Sequence, residues 1–390
     1  MPAPPLLFTP LQIRSLTLRN RLVVAPMHQY SAEEGFATDW HLMNVGRFAA
    51  GGAGLVIVES TKVERRGCGT VGDLGIWDDA FSPGLKRLAD FLHQCGAAAG
   101  IQLGHSGRKS RVSRPWEGGD PLERSPAVTD WDAWQPVAPS ALPAEDGWPV
   151  PHALSSAEIV GVIEAWAKAA ARAECAGFDV LEIHGAHGFL IHEFLSPQAN
   201  QRSDAYGGSE RNRMRFALEV AEAVRAHWPA HKPLFMRLSA EDDAGWGPEQ
   251  SVALARLLKP IGVDVIDCSA GGILAKPPRI RVDYGYQVPY AAQIREQAGV
   301  MTLAVGLIVH AHQAEQILQQ GSADLVALAR ELLWNPHWAL DAACKLGAGS
   351  PFELLPPPYR YWLSRRASGA PHVQPSTWGE PGGPLGESRP

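Results

Sequence analysis

Short runs of mostly consecutive apolar residues recur along the chain, and each is followed by a longer stretch whose apolar positions return with helical spacing. The runs are Leu22–Ala25, Leu55–Glu59, Gly100–Leu103, Val180–His184, Leu234–Leu238, Val265–Ser269, Thr302–Val305 and Leu325–Ala329. Apolar residues at neighbouring positions, in place of strict alternation, mark strands buried on both faces of a parallel sheet. The stretches between them carry helix signals. Ser155-Ser156-Ala157-Glu158 supplies an N-cap and an acidic first turn for a helix over Ala157–Ala176, which stops at Gly177. Further helices are predicted over Ser209–His227, Pro248–Leu258, Ala311–Gln319 with Gly321 behind it, and Pro336–Lys345. Eight such βα repeats predict an α/β fold closed into a (β/α)8 TIM barrel. An open doubly wound sheet is the alternative, and the even succession of repeats without a reversal favours closure.

Two stretches interrupt the rhythm. Arg111–Ala153, rich in Pro and Trp, is a long loop insertion after the third strand and is expected to lie over the C-terminal mouth of the barrel. From about Ser364 to Pro390, Gly, Pro and Ser dominate, which divides the chain into a barrel domain over residues 1–363 and a flexible tail over 364–390.

Composition narrows the function. Of 390 residues, 45% are hydrophobic and 13 are Trp, enough for a large core. Lys and Arg number 35 against 41 Asp and Glu, for a net charge of −6 with no basic run, which argues against nucleic acid as a partner. Cys68, Cys95, Cys175, Cys268 and Cys344 are scattered without C-x-x-C spacing, as in proteins of a reducing compartment. Met1–Phe8 lacks a basic n-region, and no later run approaches the roughly 18 apolar residues of a membrane span. A soluble, cytoplasmic protein with no membrane partner is expected.

Active sites of such barrels gather at the C-terminal ends of the strands. The residues there are Pro26-Met27-His28, Ser60, Gln102 and His105, His184 and His187, Arg237, Ser269-Ala270-Gly271-Gly272, Gly306 and Arg330. Polar donors converge without a cluster of carboxylates, which suits an electron-rich organic ligand bearing an anionic group better than hydrolysis by paired acids. Gly271, Gly272, Gly306 and Arg330 follow strands six to eight, where barrels bind phosphate through backbone N–H groups; ordinary tight turns and a surface ion pair are the other reading. Gly104–Ser110 lacks the glycine spacing of a P-loop, and Gly51–Gly54 precedes a strand, so neither holds a dinucleotide. His184 and His187 have no carboxylate in the same turn. They are a structural pair, two donors to a substrate oxygen, or, least favoured, part of a metal site, and no metal is expected.

The motifs themselves, read in order, closely resemble the Old Yellow Enzyme family. They are Asn20 to Met27 (NRLVVAPM), Ile101 to Lys109 (IQLGHSGRK), Gly177 to Gly188 (GFDVLEIHGAHG), Phe194 to Pro197 (FLSP), Asn200 to Ser209 (NQRSDAYGGS), then Arg330 to Leu333 and Pro336. The resemblance spans about residues 5–363, and Arg114 to Glu117 with Pro356 to Leu363 place it nearest the xenobiotic reductase and thermophilic-like branch. It implies a flavoprotein with non-covalent FMN, reduced by NAD(P)H, that passes hydride from flavin N5 to an activated alkene at one shared site. Carried over residue by residue, it implies Gln102 at the flavin pyrimidine edge and Arg237 near N1 and O2. Pro26, Met27 and Ser60 would line the ring, and Gly271, Gly272, Gly306, Ala329 and Arg330 the phosphate. Ala329 stands where many relatives have Gly. His184 and His187 would bind the carbonyl oxygen of an enone. Tyr30 and the insertion aromatics would shape the acceptor side, and Trp362 with Tyr361 would close a flavin site within or across subunits, implying a homodimer or higher homo-oligomer.

Two residues depart from the family pattern. His28 stands where the branch has Cys or Thr beside the flavin N5/O4 edge, and Phe189 where a Tyr protonates the substrate α-carbon. A phenyl ring donates no proton. Proton delivery is therefore expected from His28, Tyr30 or water. The alternatives on the same flavin site are reduction of nitro or aromatic acceptors and ketone desaturation. Those of another class are a metal-dependent barrel hydrolase using His184, His187 and His28, and a non-catalytic flavin-binding redox sensor.

Overall fold

The computed structural model describes residues 4–126, 128–277 and 279–372. All eight predicted runs form strands: β1 Leu22–Val24, β2 Leu55–Lys62, β3 Ala98–Gly104, β4 Val180–Gly185, β5 Leu234–Ser239, β6 Val265–Ser269, β7 Met301–Ala304 and β8 Leu325–Leu328. They pair in chain order, all parallel, and β8 closes on β1 through Val326↔Leu22 and Leu328↔Val24. The ring is the predicted (β/α)8 barrel, with no open edge.

The principal helices are α1 Asp39–Ala50, α2 Ser82–Gln94, α3 Ser156–Cys175, α4 Glu210–His227, α5 Pro248–Ile261, α6 Val288–Ala298, α7 Ala311–Gln319 and α8 Trp338–Lys345. Start signals act as the local chemistry requires. Ser155 and Glu158 form a capping box, the Ser155 N–H donating to Glu158 Oε2 at 2.8 Å and the Glu158 N–H to Ser155 Oγ at 3.3 Å. Such a cap is worth about 1 kcal/mol. Sequence periodicity left α1, α2 and α6 without a predicted range. In α1 the buried face includes His41, Asn44 and Gly46, so its inward stripe does not read as apolar.

Two hydrophobic layers hold the barrel. One lies between strands and helices. The other fills the interior with Val23, Ala25, Leu55, Ile57, Val180, Phe235, Val265, Leu303, Leu325 and Ala327, and is plugged from below by Ile13 and Leu18 of an N-terminal hairpin, Leu11–Ile13 with Leu16–Leu18. Above this interior layer the inward positions turn polar, which places the chemistry at the C-terminal end.

The insertion after β3 meets the mouth at its start. Arg114 Nε donates to the Tyr30 carbonyl at 2.9 Å, and Trp116 stands edge-on to the Tyr30 ring at 5.7 Å. Deeper anchoring comes from buried Trp134, whose Nε1 donates to the Cys68 carbonyl at 2.8 Å. At the C-terminus, helix Pro357–Gly369 runs past the boundary expected at 363, so residues 364–369 are helical. The rest of the expected tail, from 373 onward, lies outside the described residues. Among the described residues no helix is long and apolar enough to cross a membrane.

Candidate active site

Period-two alternation builds the site in storeys. On β4, Val180, Glu182 and His184 point inward; on β5, Phe235, Arg237 and Ser239; on β6, Val265, Asp267 and Ser269. Register aligns these rungs, pairing Gln102 with Glu182, His184 with Arg237, and Asp267 with Arg237. The lower polar storey therefore holds Gln102, Glu182, Arg237 and Asp267, all buried. Gln102 Nε2 donates to Glu182 Oε1 at 2.8 Å, and Arg237 Nε lies 3.2 Å from Asp267 Oδ2.

This storey corrects the expectation that the mouth lacks clustered carboxylates. Both acids were hidden inside apolar-looking strands. Burial, reinforced by Asp267 and opposed by Arg237, pushes Glu182 up to about 8, so it keeps its proton at neutral pH. Burial also raises Asp267, while Arg237 holds it down. The guanidinium thus lies against both carboxyl groups, and its Nε has no aligned hydrogen-bond acceptor among the described residues.

His184 and His187 form the upper storey, their ring centroids 5.2 Å apart and the planes at 89°. His184 Nδ1 accepts from the Ala186 N–H at 3.2 Å, which leaves Nε2–H free to donate. His187 sits at φ 61°, its N–H donating to Ser239 Oγ at 2.9 Å and its Nε2 lying 2.7 Å from Ser269 Oγ. The turn that carries it passes against the loop after β6. A Cβ on Gly188 would fall 2.1 Å from the Gly272 carbonyl oxygen, and one on Gly272 would fall 2.3 Å from His187 Cα, so only glycine fits at either position. Lys109 Nζ ties the two turns, donating to the carbonyls of His187 and Gly272. Burial lowers both imidazoles well below the ordinary histidine value, followed by His187 and Arg237 for His184, and by Arg237 and His192 for His187. Both are neutral donors at neutral pH.

Phe189 packs on His184 with centroids 4.9 Å apart and faces His28 at 6.2 Å. His28 stacks on Tyr30 at 5.3 Å. Burial, with Asp73 and Glu59 adding, pushes the Tyr30 phenol up to about 12, so it stays protonated. Pro26 and Met27, half-buried, follow β1 on the same rim, and Ser60 is buried at the end of β2. Gly104 gives Ser60 its space, since a Cβ there would lie 2.0 Å from Ser60 Oγ.

Two buried groups at this rim escaped sequence reasoning. Lys62 closes β2 with no exposed side-chain surface, reaching His28 Nε2 and Ser60 Oγ at 3.1 Å each and Asp73 Oδ2 at 3.4 Å. A lysine ending a strand reads as a surface charge, and the available signal was its i, i+2 relation to Ser60. Asp73 is drawn up by burial, but Lys62, His28, Thr70 and the Gly69 N–H outweigh this and hold it below its usual value. The second group is Glu193, whose Oε1 accepts from the Arg108 N–H at 2.9 Å. Burial pushes it up to about 8 against Arg108 and Lys109. Native Glu193 therefore retains a proton that the unfolded chain releases near pH 4.3, so its contribution to stability falls as pH rises from there to about 8. Glu193→Gln is expected to flatten that slope, read as a smaller difference in melting temperature between pH 5.5 and 8 than in the wild type.

On the opposite rim Gly271, Gly272 and Gly306 take φ of 75°, 101° and 110°, conformations that glycine favours. Ala329 caps Arg330–Trp334, and exposed Arg330 has no carboxylate partner among the described residues. These features suit a phosphate. With the unsatisfied Arg237 Nε below the mouth and the neutral imidazole pair above it, the donor set fits a phosphorylated flavin. Trp362 is 69% exposed, contacts the Tyr361 ring, and belongs to a helix following Leu354, whose carbonyl accepts from Arg19 just before β1, at the base of the barrel. No group of three or more His, Cys, Asp or Glu among the described residues is arranged to hold a metal.

Comparison with known proteins agrees with this fold. Residues 6–347 match the family described as NADH:flavin oxidoreductase / NADH oxidase. An NADPH dehydrogenase of Geobacillus sp. (strain WCH70) is 45% identical over 346 residues, covering 88% of this chain and 95% of the relative. Among solved structures, morphinone reductase superposes with a TM-score of 0.72 at 31% identity, covering 89% of this chain and 91% of that one. The old yellow enzyme homologue from Zymomonas mobilis does so with a TM-score of 0.72 at 27% identity, covering 88% and 93%. The chain thus belongs to the NADH:flavin oxidoreductase / NADH oxidase family, the Old Yellow Enzyme lineage of FMN-dependent enzymes that draw hydride from NAD(P)H.

Proposed function

We propose that this FMN-dependent oxidoreductase reduces activated alkenes, with an enone as the acceptor class. The observation that carries the reading is the perpendicular, neutral pair His184 and His187 above Arg237. Two N–H donors converging on one oxygen stabilise negative charge that develops there as the β-carbon accepts hydride. Bound FMN supplies the two-electron carrier between NAD(P)H and the acceptor.

The chain's own residues divide the remaining work. Gln102 would meet the pyrimidine edge, and Arg237 would offset charge on the N1–O2 side. Pro26, Met27, His28 and Ser60 would line the ring, and Gly271, Gly272, Gly306, Ala329 and Arg330 would hold the phosphate. Phe189 and Tyr30 would wall the acceptor space, with Phe189 excluding water and leaving protonation to His28, Tyr30 or solvent. The exposure of Tyr361 and Trp362 supports closure of a partner's site in a homo-oligomer.

The test is an anaerobic NADPH titration of the purified protein followed in the visible spectrum, then reoxidation with 2-cyclohexen-1-one. Bleaching followed by enone-driven recovery is expected; bleaching with recovery by quinones or nitro compounds alone overturns the ene-reductase reading. Restoring the phenol, Phe189→Tyr, is expected to speed reoxidation by about tenfold or more, because general acid catalysis is commonly worth roughly 10²–10⁴-fold. If neither Phe189→Tyr nor His28→Ala changes turnover of the enone, atypical proton delivery is wrong.

A further inference from the structure

We propose that Lys62 is the positioning residue behind His28, fixing that imidazole as the Nδ1–H tautomer and refilling its proton, so that His28 replaces the missing phenol at position 189 as the donor to the acceptor carbon. The inference rests on the ene-reductase reading and extends it to a residue with no role assigned so far.

The geometry begins with the charge count. Lys62 has three N–H groups and three acceptors: His28 Nε2 and Ser60 Oγ at 3.1 Å and Asp73 Oδ2 at 3.4 Å. Asp73 is itself locked, taking the Gly69 N–H at 2.8 Å, the Thr70 N–H at 3.2 Å and the Thr70 hydroxyl at 2.7 Å. That carboxylate is the ion-pair partner of the Lys62 ammonium. An ammonium N–H aimed at Nε2 requires the lone pair on that nitrogen, so the ring hydrogen of His28 must sit on Nδ1. Burial and the neighbouring Lys62 charge, against Asp73, lower His28 to about 4, which keeps the ring neutral. The Lys62 ammonium also stands 5.3 Å from the Phe189 ring centroid, and His28 stands 6.2 Å from it. The relay therefore borders the position where the phenol is lost.

The step balances without an imidazolium. As hydride forms the new bond at the β-carbon, the alkene π pair takes the Nδ1 proton at the α-carbon. Nε2 takes a proton from Lys62 Nζ in the same motion, leaving a neutral imidazole in its other tautomer and a neutral amine beside Asp73. Before the next turnover solvent returns one proton to His28 Nδ1 while Nε2 passes its own back to the Lys62 amine, which restores both the Nδ1–H tautomer and the ammonium. A merely structural Lys62–Asp73 pair would share the burial but would not need Nε2 as its third acceptor.

The test uses the holoenzyme labelled with 15N-histidine, in which the ring nitrogens report tautomer and His28→Asn assigns the signal. The Nδ1–H form of His28 is expected in the wild type. A variant carrying Lys62→Met together with Asp73→Asn leaves no buried charge unpaired, and there the Nε2–H form is expected to appear. In stopped flow, reoxidation of this prereduced variant by 2-cyclohexen-1-one is expected to slow by about tenfold or more, while reduction by NADPH changes less than about threefold. Adding Phe189→Tyr to the same variant is expected to recover the lost rate. An Nε2–H tautomer in the wild type overturns the proposal, as does unchanged reoxidation in the double variant. A wild type that bleaches with NADPH but is not reoxidised by the enone sinks the ene-reductase reading instead, and the tautomer of His28 still decides whether Lys62 positions it.

Discussion

Arg237→Met is expected to yield a protein that loses its flavin on gel filtration and is roughly 3–5 kcal/mol less stable than the wild type. The guanidinium is the cation in the buried storey of the barrel, within 3.2 Å of Asp267 and flanked by Glu182. Methionine fills similar volume but leaves Asp267 without a counter-ion, so its pKa rises further above its unfolded value. A carboxyl raised in this way binds more protons native than unfolded, and stability then falls as pH increases through that window. The deficit should therefore be larger at pH 8 than at pH 5, where the native carboxyls can stay protonated at lower cost. Urea denaturation at the two pH values, with flavin retention read from the yellow absorbance, checks both parts. A colourless variant with wild-type stability would mean that the guanidinium serves the cofactor alone.

His184→Ala and His187→Ala are each expected to lower kcat/KM for a cyclic enone by about 10²–10³-fold, the usual effect of removing one donor from a developing oxyanion. The pair meets at 5.2 Å and would share one oxygen, so the double variant should lose less than the product of the single losses. His184→Asn, which retains an N–H, should recover part of the rate that His184→Ala loses. The two sites also differ structurally. His187 holds a left-handed turn against Gly272, so its replacement should also shift the loop after β6, whereas His184 is anchored by the strand and the Ala186 N–H. Steady-state kinetics with the melting temperature of each variant separates lost donation from lost architecture.

The barrel was legible because its strands obey a local rule. A strand buried on both faces must be apolar at neighbouring positions, and eight such runs survive any uncertainty in where each ends. The motifs around His184, His187, Gly271 and Gly272 were legible for a related reason: tight turns and close backbone approaches demand specific residue types. Helices α1 and α6 were less so, because an inward face containing His41, Asn44 or Ala291 is buried by its surroundings and not by its own hydrophobicity.

What the chain alone determined is the order and period of its elements and the chemical types carried to the strand ends. Which charges share a cavity was decided by closure of the ring. Glu182, Arg237 and Asp267 stand on three different strands, and only their register makes them neighbours. Nothing local marks Lys62 as buried; the segment around Asp73, folded back over the strand end, makes it so. The helix that carries Trp362 follows a segment tied to the base of the barrel by a contact between distant residues, the carbonyl of Leu354 accepting from Arg19. Burial and electrostatic pairing depend on distances between residues far apart in the chain, and those distances exist only once the barrel has closed.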